Sequence, residues 1–174
     1  MEITTTVVGV SGGESPGSKT RAVTQAILDA AGGGELIDVS ALGADGLLGR
    51  APDPEVDAAV LLASSAGVLV LASPIYRATV SGAVKAFLDR FPTDGLRGTV
   101  VVLAATAATP QHHLALDTGG RSLVASLGGV SAPTVVFATG ADFADGAPSP
   151  ELRALAERAA AEALALSTGL TRTA

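Results

Sequence analysis

Three short stretches carry most of the residues that could do chemistry. The first reads Gly9-Val10-Ser11-Gly12-Gly13-Glu14-Ser15-Pro16-Gly17-Ser18-Lys19-Thr20. Small residues let a backbone approach a ligand closely. Free N–H groups at the start of a following helix favour an anion, by about 0.3–1 kcal/mol per charge. Ser18 and Thr20 add hydroxyl donors and Lys19 adds a positive charge. The second stretch, Ser73 to Thr79, is a turn in which Pro74 fixes φ, so the following N–H and C=O groups can be set to read the edge of a planar ring. Tyr76, the only tyrosine, is placed either to pack or to meet such a ring, and Arg77 either to approach a phosphate or to stay solvated. The third runs from Ala105 to Asp117, where backbone N–H groups could stabilise negative charge on a ring. There His112 caps a helix, contacts the ring or faces water, while His113 faces solvent.

One tempting motif fails. Gly12-x-x-x-x-Gly17-Ser18-Lys19-Thr20 almost spells a nucleotide phosphate loop, but that loop needs Lys directly after the second Gly. Ser18 intervenes, and no convincing acidic partner for magnesium ends the third strand. A surface turn that merely tolerates glycine is the plain alternative.

The elements that must hold these turns are legible from periodicity. Apolar runs predict strands at Ile3–Val10, Glu35–Val39, Gly67–Ala72, Thr99–Ala105 and Pro133–Ala138. Ser73-Pro74 is expected to end the third, because proline cannot extend a central strand. Helices are predicted from Ser18, closed by Gly32-Gly33-Gly34; after the Asp53 cap and Pro54; over Val80–Phe91; from about His113 to Leu127; and from Ser149-Pro150-Glu151 onward. Leu42–Ala51 and Thr139–Pro148 read as loops. Strands alternating with helices imply an α/β fold, a doubly wound five-stranded parallel sheet of flavodoxin-like order 2-1-3-4-5 with helices on both faces. In that order the ends of strands one, three and four converge, and so do the three turns. No repeat or linker divides residues 1–174, so one domain is expected.

The wording of the central segment is also informative. Ser73-Pro74-Ile75-Tyr76, then Ser81-Gly82-Ala83-Val84-Lys85-Ala86-Phe87-Leu88-Asp89, resembles the NAD(P)H-dependent FMN reductases over roughly Ile3 to Phe137. His112-His113-Leu114-Ala115-Leu116-Asp117, soon after Ala105-Thr106, is similar to the alkanesulfonate-pathway branch. The resemblance implies that Ser11, Ser18, Lys19 and Thr20 hold the FMN phosphate. It also implies that Pro74, Ile75, Tyr76, Arg77 and Ala78 border the isoalloxazine ring, and that Thr106, Ala107 and Ala108 lie by its pyrimidine end, with His112 nearby. The function it implies is hydride transfer from NADPH or NADH to FMN, with reduced flavin supplied to a monooxygenase. The cofactor carries that chemistry, so no catalytic side chain is expected. A homodimer or homotetramer is implied too, with Phe87, Phe91, Leu123 and Leu127 either at its interface or in the chain's own core. Three positions depart from the family pattern: Gly12-Gly13-Glu14 where an arginine is common, Ala107-Ala108 where glycines are common, and Thr118 where the branch often has an aromatic.

Composition narrows the rivals. There are no cysteines, which excludes disulfides and thiolate chemistry, and two adjacent histidines make a poor metal set. A net charge of −6 disfavours nucleic acid. No apolar run reaches membrane-spanning length and the start lacks the pattern of a signal peptide, so a cytoplasmic location is expected. The main rival is a protein that keeps FMN tightly, a flavodoxin-type electron carrier or a quinone, azo-dye or metal-ion reductase. With no Trp, one Tyr and four Phe, none of the latter in the three turns, the sequence favours a loosely held flavin. A flavin-free interaction domain is the third reading.

Overall fold

The computed structural model describes residues 5–15 and 17–170; the predicted start of the first strand at Ile3 lies outside them. The parallel elements are β1 (Val7–Ser11), β2 (Glu35–Asp38), β3 (Val68–Tyr76), β5 (Val100–Thr106) and an interrupted edge strand, β6 (Val130–Ser131) and β7 (Val136–Ala138). Their order is β2-β1-β3-β5, with β6 and β7 both on the far side of β5. This is the doubly wound order that the alternation of elements implied.

Pleating explains why the strands are continuously apolar. Successive side chains point to opposite faces, and both faces are covered. Val68, Val70, Ala72, Val100, Val102 and Ala104 face α1 (Lys19–Ala30) and α6 (Pro150–Ser167). Leu69, Leu71, Val101, Leu103 and Ala105 face the opposite layer, α3 (Pro54–Ser65), α4 (Gly82–Leu88) and α5 (Arg121–Ser126). Gly9 lets α1 lie close on β1, since a Cβ there would stand 2.7 Å from the Thr24 methyl and 2.9 Å from Leu28.

Local chemistry sets the helix ends. Asp53 Oδ1 accepts from the Glu55 and Val56 N–H groups at 3.0 and 3.3 Å, with Pro54 at the first helical position. The stop after α1 is a run of three glycines at φ 89°, 116° and 159°.

Several expectations need correcting. Pro74 does not end the third strand, which continues to Tyr76 and pairs with β5 as far as Pro74 opposite Thr106. The Ala72 carbonyl accepts from Gly12 N on the β1 side, and residues two apart share a side. The imino nitrogen of Pro74 therefore faces the edge beyond the end of β1, where no donor is needed. The following helix starts at Gly82 rather than Val80, because Thr79–Val80 form β4, an antiparallel return onto β3.

The expected helix over His113–Leu127 divides into a π turn at Leu116–Gly120 and α5, with a 3₁₀ turn at Pro110–His112 before them. The fifth strand is interrupted around Pro133, with Val130–Ser131 as an unexpected first piece. The loop at 42–51 contains the short helix α2 (Ala44–Leu47), which buries Leu47. The loop at 139–148 holds a 3₁₀ turn and the hairpin β8–β9 (Phe143–Ala144, Ala147–Pro148). Of the two readings of Phe87 and Phe91, the core one holds: both are buried in the chain's own core with ring centroids 5.4 Å apart, edge to face. Among the described residues no helix is long and apolar enough to cross a membrane, and no group of three metal-ligating side chains occurs.

Candidate flavin cleft

The first loop is built around two bare glycines. Gly12 N donates to the Ala72 carbonyl at 2.9 Å, tying the loop to β3, and a Cβ on Gly12 would overlap a methyl of Val84 on α4. A Cβ on Gly13 would overlap Ser18 Oγ. Ser18 is the N-cap of α1, and its Oγ accepts from Arg21 N at 3.3 Å while its proton stays available to a ligand. Ser11 is fully buried, and its Oγ accepts from Gly13 N at 3.4 Å. It shapes the loop from beneath and does not line the cleft.

The second turn is a two-residue hairpin. Ile75 pairs with Val80 and Tyr76 with Thr79, leaving Arg77 and Ala78 at its tip with φ 52° and 62°. Positive φ at both central positions is the type I′ geometry, which normally selects Asn-Gly because side chains with a Cβ crowd the backbone there. The base is pinned by buried Ser73, whose Oγ accepts from Ser81 N and donates to the Pro74 carbonyl, both at 2.8 Å.

The third turn is locked to the first and to the sheet edge. Thr20 Oγ1 and Thr106 Oγ1 are hydrogen-bonded at 2.7 Å. Ala107 N donates to the Ala138 carbonyl at 3.0 Å, so among the N–H groups of the third turn that one is spent on β7.

Together these turns enclose a two-part cleft. One part, about 470 Å³, is lined by Gly13, Glu14, Ser18, Lys19 and Thr20 with Pro74, Tyr76 and Thr106. The other, about 480 Å³, is lined by Pro74, Ile75 and Tyr76, by Thr106, Ala107 and Ala108, and by Thr139 and Gly140. Lys19, Pro74, Tyr76 and Thr106 belong to both. The first part is polar and hydroxyl-rich; the second is more apolar.

Not every expected residue is in the cleft. Arg77 lines a groove on the far side of Tyr76, and Ala78 lines neither part. His112 lines neither part as well; its Nδ1 is buried without a hydrogen-bond partner. His113 is exposed, with Nδ1 3.0 Å from the Pro110 carbonyl.

Sequence reasoning missed the fourth wall, Thr139 and Gly140. The Thr139 N–H and hydroxyl donate to Asp142 Oδ2 at 2.6 and 2.9 Å, which fixes that loop. Lys19 Nζ lies 5.7 Å from the Phe143 ring centroid, a cation–π contact that holds the lysine across the cleft. The signal was available: in a parallel sheet the fifth strand ends on the same edge as the others.

The fit to FMN rests on this geometry. A hydroxyl cap, a lysine and a backbone that admits no Cβ suit a phosphate, and a more apolar compartment beyond them suits an aromatic ring.

Fold and site together define a flavodoxin-like protein with a cleft across the carboxyl ends of its strands. Residues 5–144 match the family model of the NADPH-dependent FMN reductases. The chain is 37% identical over 146 residues to an FMN reductase (NADPH) of Pseudomonas aeruginosa, covering 79% of this chain and 78% of that one. It is 37% identical over 169 residues to the NADH-dependent FMN reductase SfnF of Pseudomonas fluorescens, covering 88% and 89%. Among solved structures, the apo form of an NADH:FMN oxidoreductase (EMOB) superposes with a TM-score of 0.84 at 28% identity, covering 97% of this chain and 91% of that one. The chain belongs to the NADPH-dependent FMN reductase family.

Proposed function

We propose that this oxidoreductase binds FMN across the two-part cleft and reduces it with a nicotinamide dinucleotide, NADPH or NADH. The observation that carries the reading is the continuity of the polar compartment at Ser18-Lys19-Thr20 with the more apolar one at Pro74–Tyr76 and Thr106–Ala108, through four shared residues. Bound there, FMN supplies the ring that accepts hydride. Ser18 and Thr20 donate to the phosphate, and Lys19 neutralises part of its charge. Tyr76, a residue 51% exposed, borders the open side where a donor would approach and can be covered by one. The fold keeps the two turns in register through the Thr20–Thr106 bond, which serves the close donor–acceptor spacing that hydride transfer needs.

The flavin is held loosely and used as a substrate. Among the described residues Tyr76 is the one aromatic ring lining the cleft, and Glu14 places a carboxylate beside the phosphate compartment. Reduced FMN then passes to a flavin-dependent monooxygenase, consistent with the branch the third turn resembles. The test is to mix purified protein, free FMN and each nicotinamide and follow the reduced-nicotinamide absorbance. Oxidation that saturates with added FMN is expected, from a protein that purifies colourless. No flavin-dependent oxidation with either donor would remove the enzyme reading. A yellow protein that keeps stoichiometric FMN through dialysis would favour the electron-carrier alternative.

A further inference from the structure

Phe143 lines neither compartment of the cleft, yet its ring faces Lys19, the cation that lines both. We propose that Phe143 is a positioning residue for flavin selection. By holding Lys19 over its ring it keeps the ammonium group free for the phosphate of FMN, and so sets the preference for FMN over flavins without a phosphate. The proposal rests on the assignment of Lys19 to that phosphate under the reading above.

Three observations converge on it. The first is the lysine's charge. Among the described residues, six Lys or Arg side chains are ion-paired with aspartates, and Lys19 is not one of them. Two carboxylates are close in the fold. Asp142, beside Phe143 in the chain, is occupied by the N–H and hydroxyl of Thr139, and Glu14 lines the polar compartment together with Lys19. A carboxylate on the lysine would cancel its charge. The aromatic face, 5.7 Å from Nζ to centroid, attracts the cation without cancelling it and leaves N–H groups for an anion. The second observation is space. A Cβ on Gly140 would stand 3.3 Å from Lys19 Nζ, so the bare glycine is what lets the ammonium reach this wall. The third is anchorage. Phe143 is paired with Pro148 in the β8–β9 hairpin and packs against the core between the sheet, α1 and α6. The Asp142 carbonyl accepts from Ser149 N at 2.8 Å, which ties the hairpin base to the cap of α6. The ring is thus fixed by its surroundings, whereas a lysine alone samples many rotamers. Holding the lysine before binding spares the ligand an ordering cost equivalent to roughly two- to tenfold in affinity.

The experiment is a double-mutant cycle on the purified protein, with FMN and riboflavin each titrated by flavin fluorescence. Phe143→Leu keeps an apolar side chain and removes the aromatic face. It should weaken FMN by roughly two- to tenfold and riboflavin by less than about twofold. Phe143→Tyr keeps the face and should bind FMN within about twofold of wild type. In a Lys19→Ala background, Phe143→Leu should change neither flavin, because the side chain it positions is gone. Equal weakening of both flavins, a tyrosine variant as weak as the leucine one, or the same loss with and without Lys19 would overturn the proposal and leave Phe143 a packing residue. If Lys19→Ala weakens FMN selectively while Phe143→Leu leaves it unchanged, the proposal fails and the phosphate assignment stands. If Lys19→Ala leaves FMN unchanged, the assignment fails and the proposal with it.

Discussion

Gly13→Ala tests the loop geometry most directly. A methyl at this position would overlap Ser18 Oγ, and it would also stand 2.7 Å from Ser18 Cβ and 3.2 Å from Thr20 Cβ. The hydroxyl alone could rotate away, but the Cβ is fixed by the backbone of the helix cap. Either the loop or the first turn of α1 must therefore move. Losing the Ser18 cap costs about 1 kcal/mol of folding stability. For a chain of this size that lowers Tm by roughly 2–4 °C. A displaced Ser18 also forfeits a hydrogen bond to a charged phosphate, worth about 1.5–3 kcal/mol, or roughly 10- to 150-fold in FMN affinity. Riboflavin, lacking the phosphate, should lose much less. Gly17→Ala is the internal control, because a Cβ there meets nothing within 4 Å, and its Tm should match the wild type. The assays are thermal unfolding followed by circular dichroism, and titration of each flavin by its own fluorescence. If Gly13→Ala keeps both Tm and FMN affinity, the claim that this loop admits no side chain is wrong. If it weakens FMN and riboflavin equally, the phosphate is bound elsewhere.

Three further outcomes are expected. Ser18→Ala combined with Lys19→Ala should weaken FMN by about 2–4 kcal/mol and riboflavin far less, as read by flavin fluorescence. Glu14→Gln removes an exposed carboxylate that lines the phosphate compartment, so FMN should bind severalfold more tightly at low salt, with the gain shrinking as ionic strength rises. A salt-independent change would exclude the electrostatic explanation. Ala78→Gly should raise stability by about 0.5–1 kcal/mol in urea titration, because glycine adopts the left-handed conformation of that residue without crowding. A destabilised variant would show that the turn is not under strain.

Much of this protein follows from the sequence alone. Continuous apolar runs separated by helical periodicity leave few alternatives to a parallel sheet covered on both faces, and such a sheet places its ligand at the strand ends. Local signals also held where the physics is local: the Ser18, Asp53 and Ser149 caps and the glycine stop after α1 involve only neighbours a few residues apart. What the tertiary structure decided involves partners distant in the chain. Whether Pro74 ends a strand depends on which side its missing N–H faces, and that is set by where β1 stops. Whether the Ala107 amide is free for a ring depends on Ala138, some thirty residues on, which claims it. Arg77 and Ala78 look like an ordinary turn until the pairing of Tyr76 with Thr79 forces both into the left-handed region and turns Arg77 toward a separate groove. Propensity reports what a residue prefers among its neighbours in sequence, whereas hydrogen-bond partners, free charges and the walls of a cleft are allotted by packing between elements.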